Sequence, residues 1–166
     1  MTICFNYGCL TEELVSFSHE QMDSLAYLFS SVNNPLDERV VISAAVGRML
    51  GWAGEQTAIS ADRGGNYADN GVYGKMDCID HSITTSHLLQ LMEQQGWLQF
   101  HRVLDRAKRS RLKIFEHYSA QIEEIPEDPA LIKRTQRFAV DSWFYDNGHP
   151  APIIPLYRWI AGGGPK

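Results

Sequence analysis

Nowhere in its 166 residues does the chain hold an apolar run approaching the ~20 residues needed to span a bilayer, so no membrane partner is expected. Its opening, MTICFNYGCLTEE, has neither a basic leading region nor a long apolar core, which argues against a secretory signal. Positive charge is not in excess: 15 Lys and Arg stand against 20 Asp and Glu, a formal net charge of -5. That balance is the reverse of the basic footprint of a nucleic-acid binder. Internal repeats and low-complexity segments are also missing. Cysteine is scarce. Three residues, Cys4, Cys9 and Cys78, cannot all pair within the chain. With no export signal, the expectation is a cytoplasmic protein with three free thiols, a Cys4–Cys9 bridge being left open.

What is present fits one soluble domain over residues 1–161 and a loose tail, GGGPK, over 162–166. Apolar residues at Met22, Leu25, Phe29 and Val32 follow helical spacing. A second helix is expected from Pro35, with acids in its first turn and Ile42, Ala45, Val46, Met49 and Leu50 on one face. From Gly54 to Met76 the periodicity disappears into a stretch with five glycines, read as a long ordered loop lining a cleft. A third helix is expected from Asp77 to Gln95, stopped by Gly96, with Asp77 as N-cap and Asp80 completing a capping box. On it, Cys78 shares a stripe with Ser82, Thr85, Leu89 and Met92, while Asp80 lies on the other side.

Beyond this helix the period changes to two. Leu98–Leu104, Arg111–Ile125 and Thr135–Tyr145 read as strands, and the prolines of HPAPIIPLYRWI allow only an edge strand or a short helix. The basic run His101–Lys113 reads as the tip joining the first two strands, with a patch for an acidic partner as the alternative. The fold class expected is therefore α+β: N-terminal helices and a cysteine-bearing helix packed on an antiparallel sheet.

The stretch YGKMDCIDHSITT (Tyr73–Thr85) places Cys78 between two acids at a helix start, where the positive end of the helix dipole favours a thiolate. Nucleophilic cysteine chemistry also needs a base and a group to orient it. If the last two strands form a hairpin centred near Pro129, residues whose numbers sum to about 258 face one another, and His117 and Asp141 meet that condition. A structural metal site is the rival, with two residues between Cys78 and His81 and with His87 and His101 in reach, but a second closely spaced ligand pair is missing.

GKMDCIDHSITTSHLLQLMEQQGW resembles the cysteine-helix block of the transglutaminase-like superfamily. HYSAQIEE resembles its histidine strand and RFAVDSWFYDNG its aspartate strand, in the same chain order. The resemblance implies Cys78 as nucleophile, His117 as general base and acid, and Asp141 as the orienting carboxylate. It implies acyl transfer on a protein or peptide amide, without metal or organic cofactor. Asn70 and Tyr73, just upstream, are candidate oxyanion donors or substrate contacts beside the Cys78 backbone N–H. A catalytically inactive relative used as a protein-binding module is the alternative.

Overall fold

The computed structural model describes residues 1–111, 115–126, 128 and 136–165. The chain starts with a hairpin that the sequence pattern did not announce. Strands β1 (Thr2–Phe5) and β2 (Thr11–Leu14) pair antiparallel, Thr2 opposite Leu14 and Phe5 opposite Thr11. In their connection Asn6, Tyr7, Gly8 and Cys9 all have positive φ, between 59° and 69°. Three of these are not glycine and adopt the left-handed region at a cost. A Cys4–Cys9 disulfide closes the loop. This corrects the expectation of three free thiols and leaves Cys78 as the free cysteine.

Helix α1 (His19–Phe29) begins at a Ser18/Gln21 capping box. Helix α2 (Pro35–Gln56) begins at Asn34, whose side chain accepts the Asp37 N–H, and Pro35 occupies a first-turn position that needs no N–H. It buries Ile42, Ala45, Val46, Met49 and Leu50 as the spacing predicts. It also runs two residues past Gly54, and a 3₁₀ turn follows at Ala58–Ala61, so the irregular excursion is shorter than expected. Two of its glycines are dictated by close approach. A Cβ on Gly64 would lie 2.4 Å from the Tyr145 backbone, and one on Gly74, at φ +88°, 2.2 Å from the Ala58 carbonyl.

Helix α3 (Cys78–Gln94) has the predicted Asp77/Asp80 capping box and gives way at Gly96, φ 71°. It leads to a four-stranded antiparallel sheet of order β3-β4-β5-β6: β3 (His101–Arg111), β4 (Phe115–Glu124), β5 (Arg137–Val140) and β6 (Ile153–Pro155). A short helix, α4 (Leu156–Ile160), follows β6, so the proline-rich end supplies both an edge strand and a helix. The architecture is α+β.

The basic run corrects the reading given to it. Residues His101–Arg111 are strand β3 and not a turn; the tip at 112–114 and most of the Pro126–Arg134 connection lie outside the described residues. The acidic counterpart of this run is the neighbouring strand: Arg102 pairs with Glu123, and Lys108 with Glu116. The expected third strand is also cut short, since after Val140 the chain turns into a 3₁₀ segment, Ser142–Phe144.

Both faces of the sheet are used. Ala120, Ile122, Phe138 and Val140 join Leu88, Leu89 and Met92 of α3 and the apolar face of α2 in the main core. Each fully buried aliphatic side chain there contributes about 1.5–3 kcal/mol. Ala107, Ala139, Ile154 and Trp159 form a second cluster. Because side chains alternate along a strand, this cluster occupies the opposite face, which is also the face of His117.

Candidate active site

Helix α3 is buried on most sides, and the polar residues at its start are held from two directions. The Asp77 carboxylate accepts the N–H groups of Ile79 (3.0 Å) and Asp80 (2.9 Å), and Asp80 returns a bond from the Asp77 N–H. The disulfide loop adds a second set. Tyr7 N–H (2.8 Å) and Cys9 N–H (2.6 Å) donate to Asp80, and Gly8 N–H (3.0 Å) donates to Asp77. Asp80 therefore caps the helix as predicted, yet it is fully buried, on the side that faces the hairpin. Burial pushes its carboxyl up to about 6 against the pull of the backbone N–H donors.

Cys78, first residue of α3, is half-buried, with Sγ 4.0 Å from the Glu116 carbonyl at the start of β4. The helix's apolar side packs on the face of the sheet away from His117. The thiol therefore approaches the imidazole from the start of β4, beside Glu116.

His117 Nε2 and Asp141 Oδ2 are 2.7 Å apart, and Asp141 is 1% exposed. The pair forms although the register differs from the one expected. Ala120 faces Val140 and Ile122 faces Phe138, so facing residues sum to 260, two more than predicted. A shift of two preserves the face, whereas a shift of one would have put Asp141 on the far side of the sheet. His117 and Asp141 meet on the diagonal, with Asp141 just past the end of β5.

Nε2 being committed to Asp141, Nδ1 is the ring nitrogen left for the thiol. Burial works to lower the His117 pKa, but the hydrogen bonds and charges of Asp141 and then Cys78 lift it to about 9. At neutral pH the imidazole is thus held as a cation between an acid and a thiol. Aromatic rings enclose it: Trp143 at 5.0 Å, Trp159 at 5.7 Å and Phe144 at 6.0 Å between centroids.

Two further groups belong to the setting and were not foreseen. The Trp159 indole N–H donates to Asp141 Oδ2 at 2.7 Å. Behind the dyad, His81 Nδ1 is 2.9 Å from Ser142 Oγ, His81 Nε2 is 3.0 Å from Asp62 Oδ2, and Thr85 Oγ1 is 2.8 Å from Ser142 Oγ. This buried chain ties α3 and the glycine-rich loop to the residue after Asp141. Serine and histidine placed elsewhere in a sequence carry no spacing signal for such a contact.

From the loop, the residue brought to the site is Tyr67. Its ring packs on Trp143 at 4.5 Å although the residue is largely exposed, and partial desolvation raises its hydroxyl pKa, with Arg109 opposing and the charges of Cys78 and Asp141 adding to it. Asn70 is exposed, and the exposed Tyr73 ring packs edge-on against Phe5 at 5.7 Å.

The histidines of the metal rival are otherwise engaged. His81 bonds Asp62 and Ser142, His87 faces the Thr2 carbonyl, and His101 faces Glu38. Among the described residues, Cys4, Cys9 and Glu12 are the group of three with ligand atoms close enough to share an ion, and the two sulfurs there are bonded to each other. Comparison of the chain with protein-family models, with curated proteins and with solved structures finds no match in any of the three.

Proposed function

We infer that the protein is a cysteine-dependent acyl-transfer enzyme acting on an amide, in the manner of the transglutaminase-like superfamily that its cysteine helix and its histidine and aspartate strands resemble. The observation that carries this reading is the His117 Nε2 to Asp141 Oδ2 bond in a box of aromatic rings, with the Cys78 thiol acting on the same imidazole.

The chemistry follows from these atoms. The Cys78 thiolate attacks the amide carbonyl carbon, and the oxygen takes up the electron pair. The Cys78 N–H, first of the helix and without an intrahelical partner, stabilises that oxyanion. His117 donates its Nδ1 proton to the leaving nitrogen as the C–N bond breaks, giving a thioester and a free amine. The neutral imidazole then takes a proton from water or an acceptor amine as it attacks the thioester, and Cys78 leaves as thiolate. Asp141 holds the ring and the charge it acquires. No metal or organic cofactor takes part.

The test is alkylation of the folded, oxidised protein, in which Cys78 is the free cysteine. Iodoacetamide should modify it roughly ten to a hundred times faster than the same thiol in the unfolded chain, and His117→Ala should abolish the difference. Equal rates in folded and unfolded protein would sink the reading and leave a protein-binding module. Screening with p-nitroanilides and with amine acceptors then separates hydrolysis from transfer.

A further inference from the structure

Asp141 takes its hydrogen bonds on one oxygen. Oδ2 accepts from His117 Nε2 and from Trp159 Nε1, each at 2.7 Å, while Oδ1 is buried and has no partner among the described residues. The Trp159 N–H is thus half of the bonding that keeps this carboxylate in place, and nothing on Oδ1 would oppose its rotation. An indole N–H is a donor only. It can fix the carboxylate but cannot accept the proton that His117 carries.

Trp159 is itself held at several points. It is fully buried in the cluster with Ala107, Ala139 and Ile154. Arg109, directly opposite His117 in the β3–β4 register, lies over the indole at 4.7 Å and donates to the Trp159 carbonyl at 2.6 Å. The same guanidinium nitrogen donates to the Gly163 carbonyl at 2.9 Å, and Gly163 N–H closes on the Arg158 carbonyl at 2.8 Å. The segment expected as a loose tail is in this way tied over the side of α4 that carries the tryptophan.

We propose that Trp159 is a positioning residue for the His117–Asp141 pair, with Arg109 as the group that holds it. Trp159 does not touch the thiol chemistry. It acts through Asp141, by keeping Oδ2 aimed at His117 Nε2. The proposal rests on the acyl-transfer reading for its functional meaning, but its physical content is the state of one imidazole, which can be measured without turnover.

The decisive experiment is a double-mutant cycle of Trp159→Phe with Asp141→Ala. Two quantities are read: the iodoacetamide rate at Cys78 and the titration midpoint of His117 by NMR. Trp159→Phe keeps an aromatic ring and removes the N–H. It should slow alkylation roughly ten- to a hundredfold, the scale of one hydrogen bond to a charged group, and lower the His117 midpoint. In the Asp141→Ala background the same substitution should do neither, because the group through which Trp159 acts is gone. Equal effects in both backgrounds would make Trp159 a packing residue and overturn the proposal. So would a raised midpoint, which would mean that Asp141 stays aimed without the indole. Should Trp159→Phe fail to fold, a benzothienyl side chain at 159, with sulfur in place of N–H, decides between the same outcomes. If wild-type Cys78 is no faster than in His117→Ala, the acyl-transfer reading falls, while the shift of the His117 midpoint still judges the positioning role.

Discussion

Replacing Asp141 with asparagine should collapse the charge state of His117. In the folded protein the imidazole titrates at about 9, against an ordinary histidine near 6.5, although burial alone would push it lower. The difference of about 2.5 units corresponds to about 3 kcal/mol favouring the protonated ring. A folded-state pKa above the unfolded one adds stability that is complete below the unfolded value and lost as pH rises through the folded one. Between pH 7 and pH 10 the wild-type protein should therefore lose about 2–3 kcal/mol from this group. Asp141→Asn removes the carboxylate's charge and leaves the burial, so the His117 midpoint should drop by at least about 2 units. The imidazole is then neutral at pH 7.5, and the alkaline loss of stability should flatten. Histidine titration by NMR, with His117→Gln to assign the resonance, gives the midpoint; urea unfolding at pH 7, 8.5 and 10 gives the stability. A midpoint near 9 that survives Asp141→Asn would refute the electrostatic account of the dyad.

Asp80, lifted by burial to about 6, obeys the same sign rule at lower pH: its contribution is present below about 4 and lost as pH rises through about 6. Urea unfolding of wild type and Asp80→Asn should therefore diverge over that interval and run parallel above it. Removing the Cys4–Cys9 bridge by double substitution to alanine closes no six-residue loop in the unfolded chain and should cost about 2 kcal/mol, read as a lower denaturant midpoint. Ser142→Ala deprives both His81 and Thr85 of a buried partner and should cost about 1–3 kcal/mol, read as a drop in thermal midpoint. Gly64→Ala would place a Cβ 2.4 Å from the Tyr145 backbone, so a fall in soluble yield or in thermal midpoint is expected even though the residue is a loop glycine.

The helices were legible because their signals are local. Asn34-Pro35 before an acidic turn, and Asp77 with Asp80 three residues on, state where α2 and α3 begin. The His117–Asp141 contact was legible because β-strand parity survives a two-residue error in register. Other features were hidden for equally physical reasons. The β1–β2 hairpin has no Asn-Gly or Asp-Gly turn; four left-handed residues closed by a disulfide do that work, and three of them are not glycine. The basic run is a strand because its charges find Glu116 and Glu123 across the ladder, a non-local fact. Asp62, His81, Ser142 and Trp159 lie 18 to 61 residues from the partners they serve, the last on a segment where proline masked the pattern.

The loop of four left-handed residues has an electrostatic consequence for Cys78. A thiol flanked in sequence by Asp77 and Asp80 ought to be a poor nucleophile, since two negative charges resist a third. Yet three amide dipoles from Tyr7, Gly8 and Cys9 face those carboxylates, and the helix adds Ile79 and Asp80 N–H. The amides around this helix start are thus shared between two clients. One set neutralises the aspartates on the hairpin side, and in the proposed reaction the Cys78 N–H serves the oxyanion.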